Sequence, residues 1–143
     1  MIDVTGNWVG VITYGKEYRT HKGKELYFDM ELIQQNENIR GISLDIGGAG
    51  ISPRKASIEG SLKENAIEFI KQYATFHYYK NGETIIDNLR KGHAIKYSGL
   101  YNSDSQTFTG NWIIKGKVKL FGFIPINYQN TGIWSMKRKI EIP

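Results

Sequence analysis

The sequence predicts an all-β fold: an eight-stranded antiparallel up-and-down (meander) β-barrel, with short turns at one end and long loops at the other. Three observations predict it. Apolar and polar residues alternate with period two along eight segments, and no segment of ten or more residues shows helical periodicity. The connections between these segments alternate short and long in strict order. All three Trp occupy one setting, T-G-x-W, at Thr5-Gly6-Asn7-Trp8, Thr109-Gly110-Asn111-Trp112 and Thr131-Gly132-Ile133-Trp134.

The first strand is read at 4–14, where Trp8, Gly10 and Ile12 share a face. The second, at 24–35, sets Leu26, Phe28, Met30 and Leu32 against Tyr27, Asp29 and Glu31. The third, at 39–46, puts Ile42, Leu44 and Ile46 together, an apolar set expected to face inward. The fourth lies at 56–62. The fifth, at 66–79, groups Ile67, Phe69, Lys71, Tyr73 and His77. The sixth, at 93–101, aligns Ile95, Tyr97, Gly99 and Tyr101. The seventh, at 106–115, aligns Phe108, Gly110, Trp112 and Ile114, and the eighth, at 131–142, aligns Trp134, Met136, Arg138 and Ile140. The best helical candidate is the short stretch 84–91.

The turns NEN, KEN and NSDS are rich in Asn and Asp, which tolerate positive φ. The other four connections are longer, and in a meander they all fall at the opposite end. That end is the expected mouth; the short turns form the floor. Strand direction then puts Trp8 near the floor, Trp134 near the mouth and Trp112 in the upper half. Arg138 follows Trp134 by four residues, about 13 Å lower at roughly 3.3 Å per residue, which sets it beside Trp8. Gly two residues before each Trp leaves room for large rings inside a curved wall.

These residues resemble the calycins, the group of meander barrels that includes lipocalins and avidins. The resemblance rests on Gly6-Asn7-Trp8 in the first strand and Arg138 in the last, and it extends over the chain as architecture. It implies a ligand cup enclosed by the barrel. The chain departs from lipocalins in lacking disulfides and a C-terminal helix. It departs from avidins in lacking an Asn and Ser after the first Trp, and from fatty-acid-binding proteins in lacking room for a helical pair after the first strand.

Length fits one domain, 1–143. The absence of Cys excludes disulfides, thiolate metal sites and a Cys nucleophile. The start MIDVTGNW shows no signal peptide, and no apolar run approaches the roughly 18 residues of a spanning helix, so a cytoplasmic location is expected. His21, His77 and His93 lack metal-ligand spacing, and no nucleophile elbow, phosphate loop or metalloprotease motif occurs. No metal, cofactor or catalytic residue is therefore expected. Asp29, Glu31, Asp45, Glu59 and Glu68 read as solvated carboxylates.

Net charge is +5, and its distribution is uneven. The long connections and their borders carry Lys16, Arg19, Lys22, Lys24, Arg54, Lys55, Lys80, Arg90, Lys91, Lys115, Lys117 and Lys119 against only Glu17, Glu83 and Asp87. A rim of one sign steers oppositely charged molecules. The expected function is non-enzymatic binding of a small, mostly apolar, anionic ligand in the cup. Phe28, Met30, Leu44, Phe69, Lys71, Tyr73, Tyr97, Trp112 and Trp134 are the expected lining, with Lys71 as the anion anchor. Lys71 pointing inward or snorkelling outward both fit the sequence. The alternative is a barrel filled with side chains whose basic end docks on an acidic protein or a membrane. The segment 115–130 reads as a lid, a docking loop or an extension of its strands. Nucleic acid is disfavoured, because the basic residues lie in loops and the Trp face inward.

Overall fold

Alternating side chains need two environments, and a sheet rolled on itself supplies them without leaving an open edge. A computed structural model describes residues 2–52, 54–74, 76–80, 83–87, 94–122 and 124–140. In chain order the strands are β1 (Gly6–Tyr14), β2 (Glu25–Gln35), β3 (Asn38–Gly48), β4 (Ala56–Lys63), β5 (Ala66–Tyr73), β6 (Phe76–Lys80), β7 (Glu83–Asp87), β8 (Ala94–Asn102), β9 (Thr107–Leu120) and β10 (Ile124–Arg138). A 3-10 helix (Lys16–His21) connects β1 to β2. The barrel closes in the order β1-β10-β9-β8-β5-β4-β3-β2, every neighbour antiparallel, and β6 and β7 form a separate hairpin.

The eight-stranded meander is as the sequence predicts, with three differences in detail. The fifth predicted strand, 66–79, divides into β5 and β6. The helical candidate at 84–91 is strand through Asp87, where β7 pairs with β6, and its last four residues lie outside the described ones. The predicted 15-residue connection between the seventh and eighth strands is an extension of both. β9 and β10 stay paired from Lys137–Thr107 up to Ile124–Leu120, so 115–130 is a long hairpin.

The floor forms as expected. Trp8 pairs with Arg138, whose guanidinium lies 4.7 Å from the indole centroid. Arg138 also donates from Nη1 to the Thr5 carbonyl at 3.0 Å and from Nη2 to the Asp3 carbonyl. The Trp8 Nε1–H donates to the Val4 carbonyl at 2.9 Å, so the buried indole has its one donor satisfied. Gly6 takes φ +133, a conformation that calls for Gly, and it lets the Arg138 guanidinium lie close, Nη1 being 3.0 Å from where a Cβ would stand. Phe108 packs edge-on against Trp8 at 5.5 Å.

Higher in the barrel, glycines accept rings. A Cβ on Gly132 would fall 2.4 Å from the Trp112 ring, one on Gly10 2.3 Å from Phe28, and one on Gly99 2.7 Å from Trp134. The core includes Trp8, Ile12, Leu26, Phe28, Met30, Leu32, Ile58, Leu62, Ile67, Phe69, Phe108 and Met136. Trp8→Ala should cost about 3–5 kcal/mol, as a large core truncation that also strips the cover from Arg138. Denaturant melts check this, and a near-neutral result would contradict the floor assignment.

Candidate functional site

The inner wall turns polar toward the loop end. On β5, strict alternation carries Ile67, Phe69, Lys71 and Tyr73 inward, all buried. Lys71 therefore does not snorkel; it is 1% exposed. Its Nζ lies 3.3 Å from Asp45 Oδ1, and both side chains are out of contact with solvent. The ammonium also sits 4.8 Å from the Tyr73 ring centroid and 5.3 Å from that of Phe28.

Asp45 corrects the expectation of a solvated carboxylate. Tyr73 OH donates to it, with 3.0 Å to Oδ1 and 3.1 Å to Oδ2, and the Ser52 backbone N–H donates to Oδ2 at 2.9 Å. Ser52 lies on the β3–β4 connection, so this segment folds over the end of the pair. A buried ion pair holds only when its remaining lone pairs find donors, and Tyr73 and Ser52 supply them.

Leu44 is the other correction. The inward residues of β3 are Ile39, Gly41, Ser43 and Asp45, while Ile42 and Ile46 are 41% and 51% exposed. Leu44 shares their outer face and borders a shallow groove of about 460 Å³ with Asn7, Asp29, Ile42 and Lys139. The reason is register. The β2–β3 hairpin turns between Gln35 and Asn38, and counting from there sets Gly41 opposite Leu32, Ser43 opposite Met30 and Asp45 opposite Phe28. Opposed residues share a face, so the strongly apolar inner stripe of β2 takes the polar stripe of β3 inward with it. An extra residue in β3 interrupts the register only beyond Phe28.

The structure brings together Phe28, Met30, Phe69, Lys71, Tyr73, Tyr97, Trp112 and Trp134 as interior residues. Phe69 and Tyr97 stack at 4.7 Å and 12°, and Trp134 meets both edge-on at 5.6 and 5.5 Å. Trp134 lies lower on its strand than the sequence predicts, opposite Ile12 and Gly110, because β10 starts at Ile124. Its Nε1–H is shared between the Ser98 and Asn111 carbonyls, each at 3.1 Å, so its donor is already engaged. Trp112 packs against Tyr14 and Tyr18 at 6.0 and 5.9 Å. Among the described residues, three buried polar atoms of this interior have no hydrogen-bond partner: Ser43 Oγ, Tyr97 OH and Trp112 Nε1.

Burial depresses the Lys71 pKa, an effect that Asp45 opposes. Burial holds the Tyr73 and Tyr97 phenols well above the ordinary tyrosine value, and the Asp45 carboxylate adds to the effect at both. His93 lies outside the described residues, as do the side chains of His21 and His77. Among the described residues no group of three metal-ligating side chains occurs, and no helix is long and apolar enough to cross a membrane. Compared with known proteins, the chain matches no family model, and no curated protein or solved structure is significantly similar to it.

Asp45, Ser43 and Ser52 were missed by reading the sequence for hydrophobic periodicity. The signal that finds Asp45 is register counted from the turn, joined to the demand of an inward Lys for a carboxylate.

Lys71→Met should destabilise the fold by about 3–5 kcal/mol, because it strands a buried carboxylate. Adding Asp45→Asn, which keeps an acceptor for Tyr73 and Ser52, should restore most of that loss. Equilibrium unfolding of the single and double variants measures it, and equal destabilisation in both would refute the pairing.

The phenols give a pH dependence of definite sign. Their folded pKa values are raised, so the stability they contribute is complete below about 10 and is lost as pH climbs toward the folded values. Lys71, with its folded pKa lowered, acts in the opposite sense between its folded value and about 10.5. Comparison with Tyr97→Phe isolates one phenol. The variant should lose stability less steeply than the wild type above pH of about 10, as read by denaturant titrations across that range.

Proposed function

We propose that the barrel binds, without turnover, a small and mostly apolar molecule that carries a neutral oxygen acceptor, and that it does so inside the loop end. The observation that carries this reading is the set of unpartnered buried groups, Ser43 Oγ, Tyr97 OH and Trp112 Nε1, within an aromatic interior. An unmet buried polar group costs about 1–3 kcal/mol, and a fold selected for stability alone would fill those places with apolar residues. All three can donate a hydrogen bond, and the indole N–H can only donate. A carbonyl, ester or amide oxygen is their natural complement.

The charge balance favours a neutral acceptor over the anion expected from Lys71 alone. Lys71 is matched by Asp45, so a carboxylate head group would carry an unmatched charge into the interior. The basic residues of the long connections act outside, where they favour acidic molecules during approach. Closure of the barrel, the Trp8–Arg138 pair and the short turns opposite the long connections support a calycin-like cup. The second reading, a docking role for the loop end, is favoured by the exposed Phe121 at the tip of the β9–β10 hairpin.

Titration with a long-chain fatty acid and with its methyl ester, read by Trp emission, tests the proposal. The ester should perturb emission more strongly than the acid, and the change should vanish in Trp112→Phe. Tyr97→Phe should weaken ester binding about five- to tenfold, the worth of one hydrogen bond, while leaving the fold as stable or more so. If neither compound alters the emission, the cup reading fails.

A further inference from the structure

We propose that the β9–β10 hairpin is a docking finger that inserts Phe121 into an anionic lipid surface. This stands apart from the cup reading and does not need it. Three observations converge on the tip. First, Phe121 is 79% exposed and Ile124, just across the turn, is 42% exposed, so two large apolar side chains project where the fold has no use for them. Secondly, Phe121 holds φ +53 and Gly122 φ +81. Gly takes that conformation freely and Asn tolerates it, whereas for a bulky side chain it is an outlier. The tip has open space around it: a Cβ on Gly122 would meet nothing within 4 Å. Among the described residues, the other hairpin turns hold a similar φ at Asn36, Glu64 and Gln106, all polar; only this turn sets a large apolar side chain there, 79% exposed. An exposed aromatic where the other turns carry polar residues points to use outside the fold.

Thirdly, the charge around the tip has one sign. From residue 105 to residue 140 the chain contains no Asp or Glu, while Lys115, Lys117 and Lys119 follow one another along β9 toward the tip. The hairpin projects from the same end as the β1–β2 and β3–β4 connections, which bring Lys16, Lys22, Lys24, Arg54 and Lys55. An aromatic tip flanked by lysines matches a bilayer interface with acidic head groups: the ring enters the acyl boundary and the ammonium groups remain among the phosphates. A nucleic acid would offer the phosphates without an apolar layer to receive Phe121 and Ile124.

Flotation with vesicles of phosphatidylcholine containing about a quarter phosphatidylserine tests this, beside vesicles of phosphatidylcholine alone. The wild type should float with the anionic vesicles, be released as salt is raised, and stay behind with the neutral ones. Phe121→Asn is the decisive variant, because Asn suits the backbone conformation that Phe strains. It should melt at the same temperature as the wild type or higher, yet bind anionic vesicles about tenfold more weakly or worse, as expected for loss of a buried aromatic. Lys117→Gln with Lys119→Gln should weaken binding by a similar factor. The proposal is overturned if the wild type ignores anionic vesicles, if it binds neutral ones equally, or if Phe121→Asn floats like the wild type. Capture of a protein through Phe121 by a chain that binds no vesicles would overturn it as well.

Discussion

Closure of the first strand onto the last is the constraint from which the rest follows. β1 and β10 pair along seven residues from Trp8–Arg138 to Tyr14–Gly132, and this ladder removes both sheet edges. Once the sheet is a cylinder, each strand has one side-chain row inside and one outside, and no residue can change sides without a bulge. Interior space is then shared among rows fixed by register. Several large rings fit where a neighbouring row offers Gly, as Gly132 does for Trp112 and Gly10 for Phe28. β9, β10 and β1, which carry the three T-G-x-W segments, lie side by side; of their glycines Gly132 makes room for the Trp112 ring, Gly6 faces the Arg138 guanidinium, and Gly110 lies against the backbone of Ser98 and Gly99.

The same constraint places charge inside. Lys71 belongs to the row that includes Ile67 and Phe69, and on a strand as regular as β5 it cannot turn away. Its burial is tolerable because β3, two strands away around the wall, presents Asp45, with Tyr73 and Ser52 completing the carboxylate's hydrogen bonds. Well-packed apolar residues are often as stable as a buried ion pair, or more so, so stability alone does not account for it. What the pair adds is a polar region inside an aromatic barrel that also holds three unmatched polar atoms.

Much of the fold was legible in the sequence because turns and alternation are local. NEN, KEN and NSDS mark hairpins by composition, and their regular placement gives the meander. The Trp8–Arg138 contact was legible because strand length fixes height. Two things were not. The hairpin 115–130 carries Gly, Pro and several aromatics, a loop-like composition, yet backbone pairing continues through it to Ile124–Leu120. From Gly41 to Ile46 on β3 the apolar side chains face out and the polar ones face in, so hydrophobic parity selects Leu44 and rejects Asp45. Periodicity reports which face is apolar, and equates apolar with inner. That equation fails where an interior is polar, and in this chain it fails at the candidate site.

The two ends of the barrel have been built to different rules. At the floor, Trp8 has its N–H satisfied, Arg138 closes over it with two carbonyl acceptors, and the turns are short. Most local preferences there agree with the fold, the exceptions being Glu64 and Gln106 at positive φ in the turns. At the loop end a charge pair is buried, lysines crowd together, and a phenylalanine sits in a conformation that favours Gly or Asn. Positive φ at residues other than Gly or Asn recurs in the floor turns at Glu64 and Gln106, whereas the buried charge pair and the crowded lysines belong to the loop end. Marginal stability leaves little room for such losses without a return. Local rules are broken most where a surface or cavity must meet something other than the chain itself.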